Sequence, residues 1–324
     1  MKLVITGGAG FIGCNFIHYW LDNHSSDEVH CVDILTYAAN IHNLEDVFDN
    51  PNFYFHKIDI RDFEKLDDLL CEIRPDLVVN FAAESHVDNS IKNPKIFLET
   101  NILGTATLMD LCLKYDVRFH QISTDEVYGD LPLDSQKRFK ESDSLNPSSP
   151  YASSKASGDL LVLSYIRTYG LKATISRCTN NYGPYQHQEK FIPLIINRIK
   201  NQETIPIYGN GANIRNWIYV IDHCRAVDLI LQKGKIGEIY NIEGNYEISN
   251  LSLAKKILDI FEVDTKYISF VDDRLGHDLK YALDDTKIKE LGYESSIDFE
   301  KGLKMTIDWY NKEYGKKQKS TFFK

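Results

Sequence analysis

The chain has 324 residues, 43% hydrophobic and 26% charged, with a formal net charge of −10. That length allows one large domain or two modest ones around a buried core, and the acidic balance argues against a broad nucleic-acid-binding surface. The chain enters a strand pattern at once (MKLVITGG), and no apolar run reads as the ~20 residues of a membrane span, so no leader or membrane anchor is expected and a cytoplasmic location is. Cys14, Cys31, Cys71, Cys112, Cys178 and Cys224 are scattered without CxxC or Cys/His clusters, which predicts reduced thiols and no metal site.

In chain order, LVIT, VHCVD, NFYFHKID, DLVVNFAA and VRFHQIST read as buried strands, with helices at 11–23, 62–73 and 94–115. In the third helix Ile96, Phe97, Thr100, Leu103, Thr107, Leu108, Leu111 and Cys112 recur at helical spacing. The alternation predicts an α/β fold of Rossmann type, a doubly wound parallel sheet covered on both faces. Beyond about residue 180 the rhythm breaks, and NNYGPYQHQEK and YGNGANIRNW read as loops. Helical patterns follow at 190–201, 222–233, 250–262 and 299–312, with short strands at EIYNI and KYISFV. The expected division is a cofactor domain over 1–180 and a smaller α/β substrate domain over 181–324, with part of 216–244 returning to the main sheet. The tail KKQKSTFFK has no periodic pattern and is expected to fray.

Three motifs carry chemistry. LVITGGAGFIG places Gly7, Gly10 and Gly13 between a strand and a helix, where backbone N–H groups can approach a pyrophosphate. Asp33 ends the next strand, and a carboxylate there accepts from ribose hydroxyls and repels a 2′-phosphate, favouring NAD over NADP. Asp59 and Ile60 are candidate adenine contacts, and Ala82 and Ala83 leave room for a dinucleotide; Phe11, Ile12, Thr100 and Asn181 complete the candidate cofactor set. In YASSK, Tyr151 and Lys155 lie four apart on a helix and share a face. The ammonium is expected to lower the phenol's pKa, so that Tyr151 accepts a proton from a sugar hydroxyl during oxidation, with Ser123 and Thr124 orienting the alcohol. An isolated Y-x-x-x-K is common as a surface pair. In STDEVYG two acids, Asp125 and Glu126, stand side by side at the end of a strand, where neither burial nor repulsion favours them. Neighbours on an extended strand point oppositely, so both acids must sit just past its end, where the backbone turns.

Together TGGAGFIG, AAESHVD, STDEVYG, YASSK, NNYGPYQHQEKFIP and DRLGHDLKYALD resemble the extended short-chain dehydrogenases, and within them the nucleotide-sugar 4,6-dehydratases of the dTDP-glucose type, from residue 1 to about 312. The resemblance implies a retained NAD, C4 oxidation through Tyr151 and Lys155 with Thr124 on the C4 oxygen, removal of the C5 proton by Glu126, and protonation of the departing C6 hydroxyl by Asp125. It further implies that Ser85, His86, Asn180, Asn181, Glu189, Lys190 and Phe191 approach the sugar and diphosphate. Pro206, Ile207 and Tyr208 would flank the base, with Arg215, Asn250, Arg274 and His277 at the diphosphate and ribose. A homodimer through 94–115 and 152–169, feeding a deoxysugar pathway, is also implied. Asn89, Gln188, Asn216 and the pair Leu279-Lys280 depart from the family pattern and keep UDP-glucose as an alternative to dTDP-glucose. A 4-epimerase would need only NAD, Tyr151 and Lys155, and a binding module would need neither the dyad nor the acids.

Overall fold

The computed structural model describes residues 1–321, with side chains described as far as Glu313. The first half holds β1 (Lys2–Thr6), α1 (Phe11–Asn23), β2 (Glu28–Val32), β3 (Phe53–His56), α2 (Phe63–Ile73), β4 (Leu77–Asn80) and α3 (Val87–Lys92). It continues through α4 (Pro94–Leu98), α5 (Thr105–Tyr115), β5 (Arg118–Thr124), α6 (Pro150–Tyr169) and β6 (Ala173–Cys178). Then come β7 (Asn180–Tyr182), α7 (Phe191–Lys200), β8 (Ile205–Tyr208), β9 (Ile214–Tyr219), α8 (Val220–Lys233) and β10 (Ile239–Ile242). The chain ends with β11 (Tyr246–Ser249), α9 (Asn250–Ile260), β12 (Ile268–Val271), α10 (Thr286–Glu290) and α11 (Phe299–Thr321).

Seven strands form one parallel sheet in the order β10-β6-β5-β4-β1-β2-β3. Every side chain of β4 and β6 is buried, because helices cover both faces and leave no solvated side to alternate with. One apolar cluster joins Phe16, Ile17 and Trp20 of α1 to Val227 and Ile230 of α8; a second joins Leu66 and Leu70 of α2 to Leu108, Leu111 and Val162. From β1 the sheet grows to β2 on one side and to β4 on the other, so a crevice opens at the carboxyl ends of these strands. The smaller lobe pairs β11-β9-β7 and β12-β8 around Ile192, Ile196, Leu253, Ile257, Leu303 and Ile307. All six cysteines are free thiols.

Four expectations change. β7 and the start of β9 lie inside segments that read as loops: Asn180 pairs with Trp217 and Tyr182 with Tyr219, and the buried rings of Tyr182 and Trp217 sit 6.2 Å apart. Packing of those aromatics overrides the weak strand propensity of Asn and Gly. The run 94–115 is interrupted between α4 and α5 by a π-helical turn, Glu99–Gly104, in which the Asn101 side chain accepts from Glu84 N–H at 2.9 Å and donates to Glu84 C=O at 3.0 Å. By length and composition alone, Pro94–Tyr115 is also apolar enough to cross a membrane, contrary to the reading above; here it packs against α2 and α6. Finally, α11 carries its backbone through Thr321, so most of the tail read as frayed is helix, the packed turns before it providing the nucleus from which it extends cheaply. Residues 322–324 lie outside the described residues.

Candidate active site

The crevice is a cavity of about 330 Å³, within the ~300–1,000 Å³ range of small-molecule sites. Gly7, at φ +67°, opens the turn after β1; a Cβ there would sit 2.6 Å from the Ala82 nitrogen. A Cβ on Gly13 would lie 2.3 Å from the Gly7 carbonyl oxygen, so the turn closes only with glycine at both places. Gly10 caps α1 without any side chain and no acid occupies the first helical turn, leaving that N-terminus to an anion. Asp33, at the end of β2, accepts from Ala9 N–H at 3.0 Å and Leu35 N–H at 2.7 Å, which fixes its carboxylate at the cavity wall. The glycine turn and the fixed acid fit a dinucleotide diphosphate and ribose. Phe11, Ile12, Asp59, Ile60, Ala82, Ala83, Thr100 and Asn181 line the same cavity. Sequence reading missed Thr36, Arg61, Glu84, Cys178 and His187 on this wall. Arg61 was within reach of it, since its Nε donates to both oxygens of Asp59 at 3.0 Å; the others have no periodic pattern to betray them.

The same cavity is bounded by Thr124, Asp125, Glu126, Tyr151 and Lys155. β5 stops at Thr124 and the chain tightens into a 3-10 turn, Asp125–Tyr128, which brings both acids past the strand end as their adjacency requires. The Thr124 hydroxyl caps that turn, accepting from Glu126 N–H at 3.3 Å and donating to Asp125 Oδ1 at 3.1 Å. Burial first, then the neighbouring Glu126, pushes the Asp125 carboxyl up to about 8. Burial raises Glu126 as well, but Arg274, Arg215 and Lys190 pull against that rise. Asp125 therefore holds its proton at neutral pH, and Glu126 too stays above its ordinary value.

Ser149 caps α6 by accepting from Ala152 N–H at 3.1 Å, and Pro150 stands in its first turn, so the helix starts abruptly with Tyr151 at the cavity. Lys155 Nζ donates to the Ile122 carbonyl of β5 at 2.7 Å. The expected drop in the phenol's pKa is absent: burial, then Glu126, Cys178 and Asp125, pushes Tyr151 well above its ordinary value, while a hydrogen bond with Thr124 pulls the other way. Removing water from a buried phenolate outweighs Lys155, whose ammonium is itself buried and turned to a carbonyl. Ser123 is also corrected: its hydroxyl donates to Asp159 at 3.0 Å and is not directed at an alcohol.

Of the candidate sugar contacts, Ser85, Asn180 and Lys190 line the cavity; Asn180 Oδ1 is buried with no partner among the described residues, and Lys190 Nζ reaches the Ser85 carbonyl at 2.9 Å. His86 and Glu189 meet at 3.6 Å beside it, and Phe191 begins α7. Tyr208, Arg274 and His277 form a second group, with the Tyr208 hydroxyl 3.1 Å from Asp88, Arg274 4.0 Å from the same acid, and the Tyr208 and His277 rings 6.1 Å apart. Arg215 stacks 4.4 Å over Tyr281 and donates to the Asp278 carbonyl at 2.9 Å. Pro206 and Tyr208 are the more accessible residues of β8, whereas Ile207 is 1% exposed and faces the small-lobe core, as strand alternation demands. Its side chain is not available to a base. Asn250 opens α9 with its N–H on the Asn213 carbonyl at 3.0 Å, and it does not line the cavity.

Over residues 4–306 the chain matches the family model described as GDP-mannose 4,6 dehydratase. It is 50% identical over 311 residues to the low-salt glycan biosynthesis protein Agl12 of Haloferax volcanii, covering 96% of this chain and 98% of that protein. It is 49% identical over 312 residues to a dTDP-glucose 4,6-dehydratase of Mycobacterium tuberculosis, covering 96% and 93%. The crystal structure of DesIV, a dTDP-glucose 4,6-dehydratase from Streptomyces venezuelae with NAD and TYD bound, has a TM-score of 0.94 at 46% identity over 97% of this chain and 98% of that one.

Proposed function

The chain belongs to the GDP-mannose 4,6-dehydratase family, and from that premise we propose that it is an NAD-dependent lyase converting dTDP-glucose to dTDP-4-keto-6-deoxyglucose for deoxysugar synthesis. The observation that carries this reading is the acid pair on its 3-10 turn, in one cavity with the Tyr151–Lys155 dyad and with Asp125 protonated near neutrality. An epimerase would leave both acids without a task.

NAD, when bound, would supply the hydride acceptor for C4 and the hydride donor for C6. Tyr151, hydrogen-bonded with Thr124, takes the C4 hydroxyl proton as its phenolate, a form that a nearby Lys155 ammonium favours, and becomes the neutral phenol. The C4 ketone makes the C5 proton acidic. Glu126, whose burial-driven rise is partly offset by Arg274, Arg215 and Lys190, removes that proton. Asp125 delivers its own proton to the C6 oxygen, so that the leaving group is water rather than hydroxide. Glu126 then returns a proton to C5. Lys190 on the cavity wall, with Arg215 and Arg274 whose charges also reach Glu126, supplies the cations suited to the diphosphate. The division into lobes falls near residue 180, with α8 and β10 returning to the cofactor half. Two copies pair through α4, α5 and α6, and the enzyme works in the cytoplasm.

The test is incubation of the purified protein with dTDP-glucose, UDP-glucose and GDP-mannose in parallel, following the alkali-induced absorbance of a 4-keto-6-deoxy sugar. Turnover of dTDP-glucose at the highest kcat/KM supports the proposal. Preference for UDP-glucose moves the base assignment, formation of the C4 epimer replaces the reaction, and no turnover of any sugar nucleotide leaves a binding module.

A further inference from the structure

A buried ion pair stands next to the acid-bearing turn and has no part in the chemistry above. Asp159 and Arg177 are 0% and 1% exposed, and Arg177 Nε donates to Asp159 Oδ2 at 2.8 Å. That same carboxylate oxygen accepts from the Ser123 hydroxyl at 3.0 Å. On the other side Arg177 Nη1 donates to the Tyr128 hydroxyl at 2.8 Å, with the guanidinium carbon 4.8 Å over the Tyr128 ring. The Tyr128 hydroxyl in turn donates to Asn241 Oδ1 at 2.8 Å, and Asn241 Nδ2 reaches the Phe139 carbonyl at 2.9 Å. The chain of bonds therefore grips the backbone two residues before Asp125 and two residues after Glu126. Asp159 lies four residues past Lys155 and eight past Tyr151 on α6, so the face that carries the dyad also carries the anchor.

We propose that the Asp159–Arg177 pair, through Ser123 and Tyr128, is a positioning device that holds the two acids in register with the Tyr151–Lys155 dyad. The proposal rests on the dehydratase reading above. Two physical arguments support it. Burying a charged pair is a poor route to stability, since apolar residues of similar volume are often as good or better. And the acids have little of their own to aim them: Asp125 Oδ1 has the Thr124 hydroxyl, and Asp125 Oδ2 has no partner among the described residues. Their direction is set by the turn that bears them, and a misplacement of ~1 Å in such a site costs on the order of 100-fold in rate.

Tyr128→Phe removes the hydroxyl that ties Arg177 to Asn241, while its ring keeps its stacking on Phe139 at 5.1 Å, so this variant is expected to fold. Arg177→Met removes the charge itself. For both, kcat on dTDP-glucose is expected to fall about tenfold or more with KM changed less than about threefold. The oxidised 4-keto hexose builds up on the enzyme and solvent exchange at C5 slows, because oxidation by the dyad outlasts elimination by the acids. Thermal melting and the cofactor content of each variant are measured alongside. If Tyr128→Phe keeps its kcat per folded site, or if oxidation and elimination slow in equal proportion, the pair merely supports the fold and the proposal is overturned. A wild-type protein that dehydrates no sugar nucleotide fails at the parent reading, and overturns both.

Discussion

At Asp125 stability and chemistry pull in opposite directions. The carboxyl titrates near 4 in an unfolded chain and at about 8 in the fold, so between those values the unfolded state binds fewer protons and folding stability declines as pH rises. Asp125→Asn removes the titration. The variant is expected to match the wild type in melting temperature below about pH 4, to gain progressively from there to about pH 8, and to hold a constant advantage above it, on the order of one to a few kcal/mol. Melting curves at pH 4, 6 and 8.5 check the sign; a variant that melts lower than the wild type at pH 8.5 contradicts the raised carboxyl. The same substitution lowers kcat by ~10²–10⁴, the usual worth of a general acid, and abolishes the fall in wild-type rate above about pH 8. Glu126→Gln leaves oxidation intact and blocks C5 exchange, so a rapid quench finds the 4-keto hexose rather than the deoxy product. Release of product at the wild-type rate would remove Glu126 from its role as base.

The elements that hold these residues were unequally visible in the sequence. The glycine turn was legible because its spacing is a steric requirement. At Gly13 even a methyl group would meet the Gly7 carbonyl oxygen at 2.3 Å and the Gly8 Cα at 2.8 Å, both of them backbone. Gly13→Ala is therefore expected to cost about 1–3 kcal/mol and to strip the purified protein of its nucleotide, measured by melting and by the nucleotide released on denaturation. Retention of a full complement of nucleotide would show that the turn is looser than its contacts imply. The dyad was legible from a spacing of four, and the acids from a composition that no strand end favours. β7 was not legible, because two of its three residues are Asn, which disfavours strands, and it becomes strand through pairing with β9. Nor was the side of β8 that faces the core: Ile207 and Tyr208 are adjacent, and only the register against β12 sends one inward and the other out.

At the scale of the molecule, the cationic surroundings of Glu126 come from β9, from the start of α7 and from the segment after β12, so nothing in one stretch of sequence announces their convergence. The apolar run Pro94–Tyr115 poses the opposite problem, being conspicuous in sequence but ambiguous in meaning. It packs along α6, and both carry uncovered apolar side chains, Leu103 being 60% and Leu160 56% exposed, with Leu98 and Tyr169 also uncovered. Uncovered apolar residues on neighbouring helices mark a contact surface, and two copies related by a two-fold axis would bury the same helices against each other. Such pairing gives the run's hydrophobicity a use that does not involve a bilayer. Leu103→Glu with Leu160→Glu places a charge on each helix at sites already open to water, so the protomer itself should melt within a few degrees of wild type. In sedimentation velocity the wild type is expected at twice the 37.3 kDa chain mass and the double variant at the chain mass. A wild type that sediments as a monomer at micromolar concentration, or a double variant that stays dimeric, would move the interface elsewhere.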